Sequence, residues 1–161
     1  MARMITVSVI GGHDIDKKMV QFAQEVGIII GRQGVVYVCG GLEGVMREAA
    51  KGAKKAGGLT IGLLPGTDKK TANPYIDIPL PTTIGYARNA MVACSADIIV
   101  ALPGSHGTAC EISYGFIYKR PIFDLGGWKR PGMIKVKNLK DFESKLKKLI
   151  KQIETERNVT D

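Results

Sequence analysis

A glycine-rich stretch, ALPGSHGTACEISYG at residues 101–115, joins an apolar run to a helical pattern. Two kinds of chemistry fit it. Glycines at a helix start let backbone N–H groups approach an anion, and the helix dipole adds positive charge there. The spacing of Thr108 and Glu111 is also that of a capping box, which closes the first turn of a helix. Spacing alone slightly favours the capping box, and the two interpretations are compatible.

Two more glycine turns follow apolar runs. Gly11 and Gly12 come after VSVI, and Gly40, Gly41 and Gly44 come after VYVC. No turn has the Gly-x-Gly-x-x-Gly spacing of a dinucleotide fingerprint, and no P-loop motif occurs, so ordinary NAD binding and P-loop ATP hydrolysis are disfavoured. Three glycine turns in one small chain predict a site for an anion or a nucleotide.

The elements that must position these turns alternate along the chain. Predicted strands cover residues 5–10, 35–39, 59–64, 75–80, 97–102, 121–124 and 133–136. Predicted helices cover residues 14–31, 43–56 and 84–95, a segment that begins at residue 108, and residues 138–156. This order predicts a single α/β domain over residues 1–161, Rossmann-like and doubly wound, with a mainly parallel sheet and helices on both faces. The glycine turns would then lie at the carboxyl ends of strands, where such sheets bind ligands.

Arg88 lies in the predicted helix IGYARNAMVACSAD. Helical spacing predicts a core stripe on this helix made of Ile84, Ala87, Met91 and Cys94. Arg88 would stand at the edge of that stripe, near the last glycine turn. There an arginine can donate two hydrogen bonds to a phosphate or stabilise charge in a transition state. The other interpretation is a surface salt bridge, with Glu111 as one candidate partner.

The net charge of +8 raises the question of a nucleic-acid partner, but +5 of it lies in residues 129–161. The apolar residues of that segment have helical spacing and include Leu139, Phe142, Leu146, Leu149, Ile150 and Ile153. The pattern predicts an amphipathic helix with lysines on its solvent face. No aromatic interleaving or nucleic-acid motif accompanies the charge, so no nucleic-acid partner is expected.

The terminal segment and the cysteines point to an ordinary cytoplasmic protein. The apolar run in MARMITVSVIGGHD is too short for a signal peptide or a membrane span, so no membrane partner is expected. Cys39, Cys94 and Cys110 form no Cys-x-x-Cys pair and have no histidine at metal-ligand spacing. We therefore expect buried free thiols, with no disulfide framework and no metal site.

Three segments resemble a known superfamily: residues 39–66, residues 72–115 and KRPIFDLGGW. This is the superfamily of small Rossmann proteins that contains the Lonely Guy phosphoribohydrolases, some of whose members were labelled "possible lysine decarboxylase". The similarity is greatest to the branch of molybdenum-cofactor carrier proteins and their uncharacterised prokaryotic relatives. The motif Pro-Gly-Gly-x-Gly-Thr-x-x-Glu falls on residues 103–111, with Ser105 for the second glycine. The motif Gly-Gly-Gly-x-x-Gly-Leu-Met falls on residues 39–46, with Cys39 for the first glycine and Val45 for the leucine.

The resemblance implies a phosphate or nucleotide site, and Arg88 and Glu111 match the catalytic pair of the hydrolases. Such a site would cleave the N-glycosidic bond of a nucleoside 5′-monophosphate with no required cofactor, and Glu111 would activate water. The implied binding residues, with the two glycines of the first turn included, are Gly11, Gly12, Gly40, Gly41, Gly44, Met46, Arg88, Asn89, Gly104, Ser105, His106, Gly107 and Thr108.

Two departures from the hydrolase pattern leave a second function open. The hydrolases follow the arginine with lysine and carry two adjacent glutamates, where this chain has Asn89 and Cys110. The carrier branch implies the alternative, a non-catalytic binding protein for molybdenum cofactor or a related phosphorylated small molecule. The resemblance further implies a homo-oligomer, either a dimer or a tetramer.

Overall fold

The computed structural model describes residues 3–160. Met1, Ala2 and Asp161, which the domain prediction includes, lie outside the described residues. The strands are β1 Thr6–Ile10, β2 Val36–Cys39, β3 Leu59–Leu64, β4 Ile78–Pro81, β5 Ile98–Ala101, β6 Ile122–Asp124 and β7 Ile134–Lys135. The helices are α1 Lys17–Gly31, α2 Val45–Lys55, α3 Arg88–Cys94, α4 His106–Ile117 and α5 Leu139–Thr160, with short 3-10 helices at Lys69–Thr71 and Gly85–Ala87.

The seven strands form one parallel sheet in the order β4-β3-β2-β1-β5-β6-β7. From β1 the chain first builds outward through β2, β3 and β4, and then crosses to the other side for β5, β6 and β7. The strand order therefore reverses between β1 and β5, which is where doubly wound sheets bind ligands. The predicted Rossmann-like α/β fold is confirmed.

Apolar residues cover both faces of the sheet. One buried cluster joins the strands to α1, α2 and α5, and a second joins them to α3 and α4. In α5 the side chains of Phe142, Leu146 and Ile150 are buried, as the helical spacing of that segment predicts. Within the described residues, no helix is both long and apolar enough to cross a membrane.

The core stripe predicted for the helix around Arg88 is wrong. Its four members, Ile84, Ala87, Met91 and Cys94, are all exposed. The buried face of α3 consists instead of Arg88, Asn89, Val92 and Ala93. The 3-10 turn Gly85–Ala87 precedes α3 and changes the phase of the helix. As a result, the two polar residues point inward at the edge of the sheet that carries the glycine turns.

The cysteine prediction holds for one residue of three. Cys39 is a buried free thiol, whereas Cys94 and Cys110 are exposed free thiols. Cys39 lies in a strand covered on both faces, while the other two are on the outward faces of α3 and α4.

Candidate functional site

Three glycine turns meet at the carboxyl edge of the sheet. We call residues 11–14 turn 1, residues 40–44 turn 2 and residues 103–105 turn 3. Turn 1 lies between the other two: the Gly12 N–H donates to the carbonyl oxygen of Pro103 at 2.8 Å, and the Gly12 carbonyl accepts from the Val45 N–H at 2.9 Å. These bonds join the ends of β1 and β5 to the start of α2, at the reversal of the strand order.

Close packing at this junction requires glycine at two positions. Gly44 has φ +70°, and a Cβ there would collide with the carbonyl oxygens of Gly12 and His13. A Cβ on Gly104 would lie 2.8 Å from the Cβ of Thr108 and 3.0 Å from the Gly12 nitrogen. Backbone therefore lies against backbone where the turns meet, which only glycine permits at these positions.

A cleft of about 520 Å³ opens between turn 1, the start of α1 and turn 3. Residues 12–16, Met19 and residues 103–105 line it. One carboxylate in the cleft is already used, since Asp16 caps α1 by accepting the Met19 N–H at 2.8 Å. Of the predicted binding residues, Gly12, Gly104 and Ser105 line this cleft.

A buried polar cluster lies beside the cleft and centres on Arg88, whose surface is only 7% exposed. One guanidinium nitrogen, Nη2, donates to the Gly40 carbonyl at 3.3 Å, and Nη1 donates to Asn89 Oδ1. A Cβ on Gly40 would lie 2.6 Å from Nη2 and 2.7 Å from the sulfur of Met46. The missing side chain of Gly40 therefore makes the space that the guanidinium occupies.

The charge of Arg88 has no carboxylate partner at close range. Among residues 3–160, no ion pair within 4.0 Å involves Arg88, and its buried Nε has no hydrogen-bond partner. Burial lowers the pKa of the guanidinium, an effect that nearby Glu111 opposes, but an arginine stays protonated in proteins. The predicted alternative of a surface salt bridge for Arg88 is wrong, because this part of α3 faces the sheet.

Glu111 is as deeply buried as Arg88, at 7% exposure. Burial raises the pKa of its carboxyl group from 4.5 to about 8, and the positive charge of Arg88 only partly offsets that increase. Burial therefore favours the neutral, protonated form of this group over the charged form that a counter-ion of Arg88 would need.

The predicted capping box is wrong, and so is the predicted start of its helix. Helix α4 begins at His106, two residues before Thr108, and Ser105 stands at the N-cap position without a side-chain cap bond. Thr108 is thus the third residue of the helix, and Glu111 lies beyond its first turn. Glu111 lies near enough to Arg88 for the charge of each to affect the pKa of the other.

A sequence model described as the SLOG cluster4 family matches residues 4–159. The chain belongs to this family. It is 38% identical over 111 residues to an uncharacterized protein of Archaeoglobus fulgidus. The alignment covers 69% of this chain and 73% of that relative.

Two solved structures share the fold of this SLOG cluster4 chain closely. The molybdenum cofactor binding protein of Rippkaea orientalis has a TM-score of 0.84 and 28% identity, over 93% of this chain and 99% of that protein. The Moco carrier protein of Chlamydomonas reinhardtii has a TM-score of 0.82 and 32% identity, over the same shares. The predicted resemblance to the Lonely Guy-like proteins and the molybdenum-cofactor carriers is confirmed.

The SLOG cluster4 chain divides the predicted site residues between two adjoining places. The cleft holds residues of turns 1 and 3, and the buried cluster holds Gly40, Met46, Arg88, Asn89 and Glu111. Two contacts connect them: Thr108 packs against Gly104, and the Asn89 amide lies beside Gly107. The remaining predicted residues have other surroundings: Gly11 packs on Val45, Gly41 packs on Leu64, and His106 is exposed.

Two supports of the site in this SLOG cluster4 chain were not predicted. The buried thiol of Cys39 accepts the Gly41 N–H at 3.2 Å, and burial raises its pKa to about 11. On the other side, the indole N–H of Trp128 donates to the Leu102 carbonyl at 3.0 Å and braces turn 3. The sequence feature that could have indicated this second support is Asp-Leu-Gly-Gly-Trp, which begins with the last residue of β6.

Proposed function

We propose that this SLOG cluster4 chain binds a phosphorylated, nucleotide-like small molecule where its three glycine turns meet. The observation that carries the proposal is the buried guanidinium of Arg88, which has an unpaired Nε and no carboxylate counter-ion. A buried charge without a partner is unfavourable in a free protein. A phosphate would supply the missing charge and matches the planar donor geometry of arginine.

The similar proteins of Rippkaea orientalis and Chlamydomonas reinhardtii favour a binding or carrier role, with molybdenum cofactor or a related phosphorylated compound as the cargo. The residues of this chain fit the phosphate end of such a cargo through Arg88 and the start of α4. Over the part of the chain that the structure describes, no group of three His, Cys, Asp or Glu side chains could hold a metal ion. Recognition in this proposal therefore rests on the phosphate and the organic part of the cargo.

Hydrolysis of a nucleoside 5′-monophosphate is the second candidate, and the neutral Glu111 beside Arg88 favours it. Protonated Glu111 would donate its proton to the leaving nitrogen while the N-glycosidic bond breaks. The resulting carboxylate would take a proton from the water that adds to the sugar carbon, which restores the acid. Arg88 would hold the phosphate and orient the ribose.

One experiment separates the two functions. The purified chain, Glu111→Gln and the exposed control Glu154→Gln are incubated with AMP, GMP, CMP and IMP, and free base and melting temperature are measured. The binding role predicts no base release and a Tm raised by about 5 °C at saturating nucleotide in all three proteins. Base release by the parent and by Glu154→Gln, but not by Glu111→Gln, would establish hydrolysis. Neither release nor stabilisation with any nucleotide contradicts both functions.

The proposal includes a homo-oligomer, dimer or tetramer, formed through the outer faces of α3 and α4. Tyr86 is 91% exposed before α3, and Met91 and Ile117 are exposed on the two helices. Apolar side chains grouped in this way are typical of protein interfaces. The double variant Tyr86→Lys/Ile117→Lys is expected to sediment as a monomer of 17.4 kDa, and the control Val159→Lys to keep the parent's mass. A parent chain that is itself monomeric contradicts the assembly.

A cytoplasmic location and the lack of a nucleic-acid partner stay predictions.

A further inference from the structure

A second cavity, of about 390 Å³, lies at the carboxyl ends of β6 and β7. Its lining combines Lys129, Lys135 and Lys137 with apolar residues that include Phe22 and Leu125. Within residues 3–160, none of these three ammonium groups takes part in an ion pair within 4.0 Å. The three lysines therefore bring positive charge to the cavity without being held in close ion pairs by carboxylates of the described chain.

The one carboxylate in the lining, Asp124, is occupied by the loop that follows it. Its two oxygens accept the N–H groups of Gly126 at 3.1 Å, Trp128 at 3.0 Å and Lys129 at 2.8 Å. These bonds hold Lys129 at φ +51°, a conformation that is uncommon outside glycine. Asp124 thus fixes the position of a lysine on the cavity rim, and its own charge is shared among three donors.

Asp141, just outside the lining, is also occupied. It accepts the Lys145 ammonium at 2.8 Å and the backbone N–H of Lys137 at 2.9 Å. The hydrogen bonds from Lys145 and from the Lys137 backbone lower the pKa of Asp141, and the positive charge of Lys137 adds a smaller effect in the same direction. Among the described residues, the lining ammonium groups nevertheless form no ion pair within 4.0 Å, so they can still approach another anion.

The second cavity adjoins the cleft of the glycine turns. Met19 lines the cleft, and Phe22, one turn later on α1, lines the cavity. The loop that carries Lys129 is held next to turn 3, because the indole N–H of Trp128 donates to the carbonyl of Leu102, the residue directly before that turn. A ligand seated at turn 3 would therefore have this cavity as its neighbour along the edge of the sheet.

We propose that the cavity bounded by Lys129, Lys135 and Lys137 is a second oxyanion subsite, which binds a phosphate or a comparable oxyanion distinct from the one at the glycine turns. The inference rests on the proposed function, since it assigns the subsite to the far end of the same ligand. Lysines suit such a subsite because they act as flexible point charges toward phosphate. The apolar residues of the lining would contact a ring system between the two anionic groups.

The test is an NMR titration of the full chain with inorganic phosphate, followed through backbone amide signals. We compare the parent with Lys129→Gln/Lys135→Gln/Lys137→Gln and with the matched control Lys55→Gln/Lys148→Gln/Lys151→Gln, which removes three exposed lysines elsewhere. In the parent, amides of residues 104–107 and of residues 126–129 shift saturably. In the first variant, the phosphate affinity reported by the amides of residues 126–129 falls about tenfold or more, because three nearby charges are lost. The phosphate affinity reported by residues 104–107 changes by no more than about twofold in this variant. In the control variant, the affinities reported by both groups of amides change by no more than about twofold.

The outcomes separate this inference from the proposed function. Shifts confined to residues 104–107 overturn the second subsite and leave the proposed function intact. Shifts confined to residues 126–129 that depend on the three lysines support the subsite but contradict phosphate binding at the glycine turns. An equal loss in the control variant overturns the subsite, because the effect is then one of overall charge. No saturable shift anywhere overturns both.

Discussion

Arg88→Met is expected to weaken the binding of AMP by about 2–4 kcal/mol, or about 30- to 1000-fold, because the phosphate loses its buried cationic partner. The free protein should stay folded and should be at least as stable as the parent. Methionine removes a buried charge whose Nε has no partner and whose guanidinium lies in no ion pair within 4.0 Å among the described residues. Isothermal titration calorimetry with AMP measures the first effect, and urea unfolding without ligand measures the second.

Two matched variants sharpen this result. Arg88→Lys keeps the charge but not the planar fork, so its AMP affinity should fall between those of the parent and Arg88→Met. Arg32→Met removes an exposed arginine at the end of α1 away from the turns and should leave AMP affinity unchanged. Parent-like affinity in Arg88→Met would show that the guanidinium does not contact the phosphate. A large loss of stability in the free variant would show instead that Arg88 has a structural role.

Glu111→Gln is expected to stabilise the free protein, and increasingly so as the pH rises. The folded-state pKa of Glu111 is about 8, against an ordinary value of 4.5, so the folded chain holds the proton more tightly than the unfolded chain. The parent therefore has its full stability below about pH 4.5 and loses stability as the pH rises toward 8. Glutamine cannot ionise, so the stability gap between variant and parent should widen by about 3 kcal/mol between pH 5 and pH 8.

Urea unfolding of both proteins at pH 5 and pH 8 measures that gap. Glu154→Gln, at an exposed site on α5, is the control and should show nearly the same gap at both values. A Glu111→Gln gap that does not depend on pH would mean that the carboxyl group is ionised in the folded state over this whole range.

The fold could be predicted because its signals are local. The apolar runs Val-Tyr-Val-Cys of β2 and Ile-Ile-Val-Ala of β5 are buried on both faces, and each is followed by a glycine turn at the same edge of the sheet. Those two features suffice to place the turns together, because the carboxyl ends of parallel strands share one edge. The helical spacing of the last segment likewise predicts α5, because apolar periodicity is a property of the segment's own sequence and does not depend on what the helix packs against.

The details of the site could not be predicted, because they depend on neighbours distant in sequence. The phase of α3 is set by the 3-10 turn before it, and the inward position of Arg88 depends on the space left by Gly40. Helix α4 begins at His106, directly after a turn whose Pro103 carbonyl accepts the Gly12 N–H, and the spacing of Thr108 and Glu111 does not mark that start. The raised pKa of Glu111 is a product of burial between elements, and no spacing in the sequence encodes it.

The Nε–H signal of Arg88 in a ¹H–¹⁵N NMR spectrum gives the most direct test of the central claim, that this buried guanidinium binds the phosphate of a ligand. The signal is assigned by its absence in Arg88→Lys, and it is followed while AMP, and separately adenosine, is added to the parent protein. We predict a saturable shift with AMP and none with adenosine, because only AMP carries the phosphate. A signal that AMP leaves unmoved, or that adenosine moves equally, would contradict the claim.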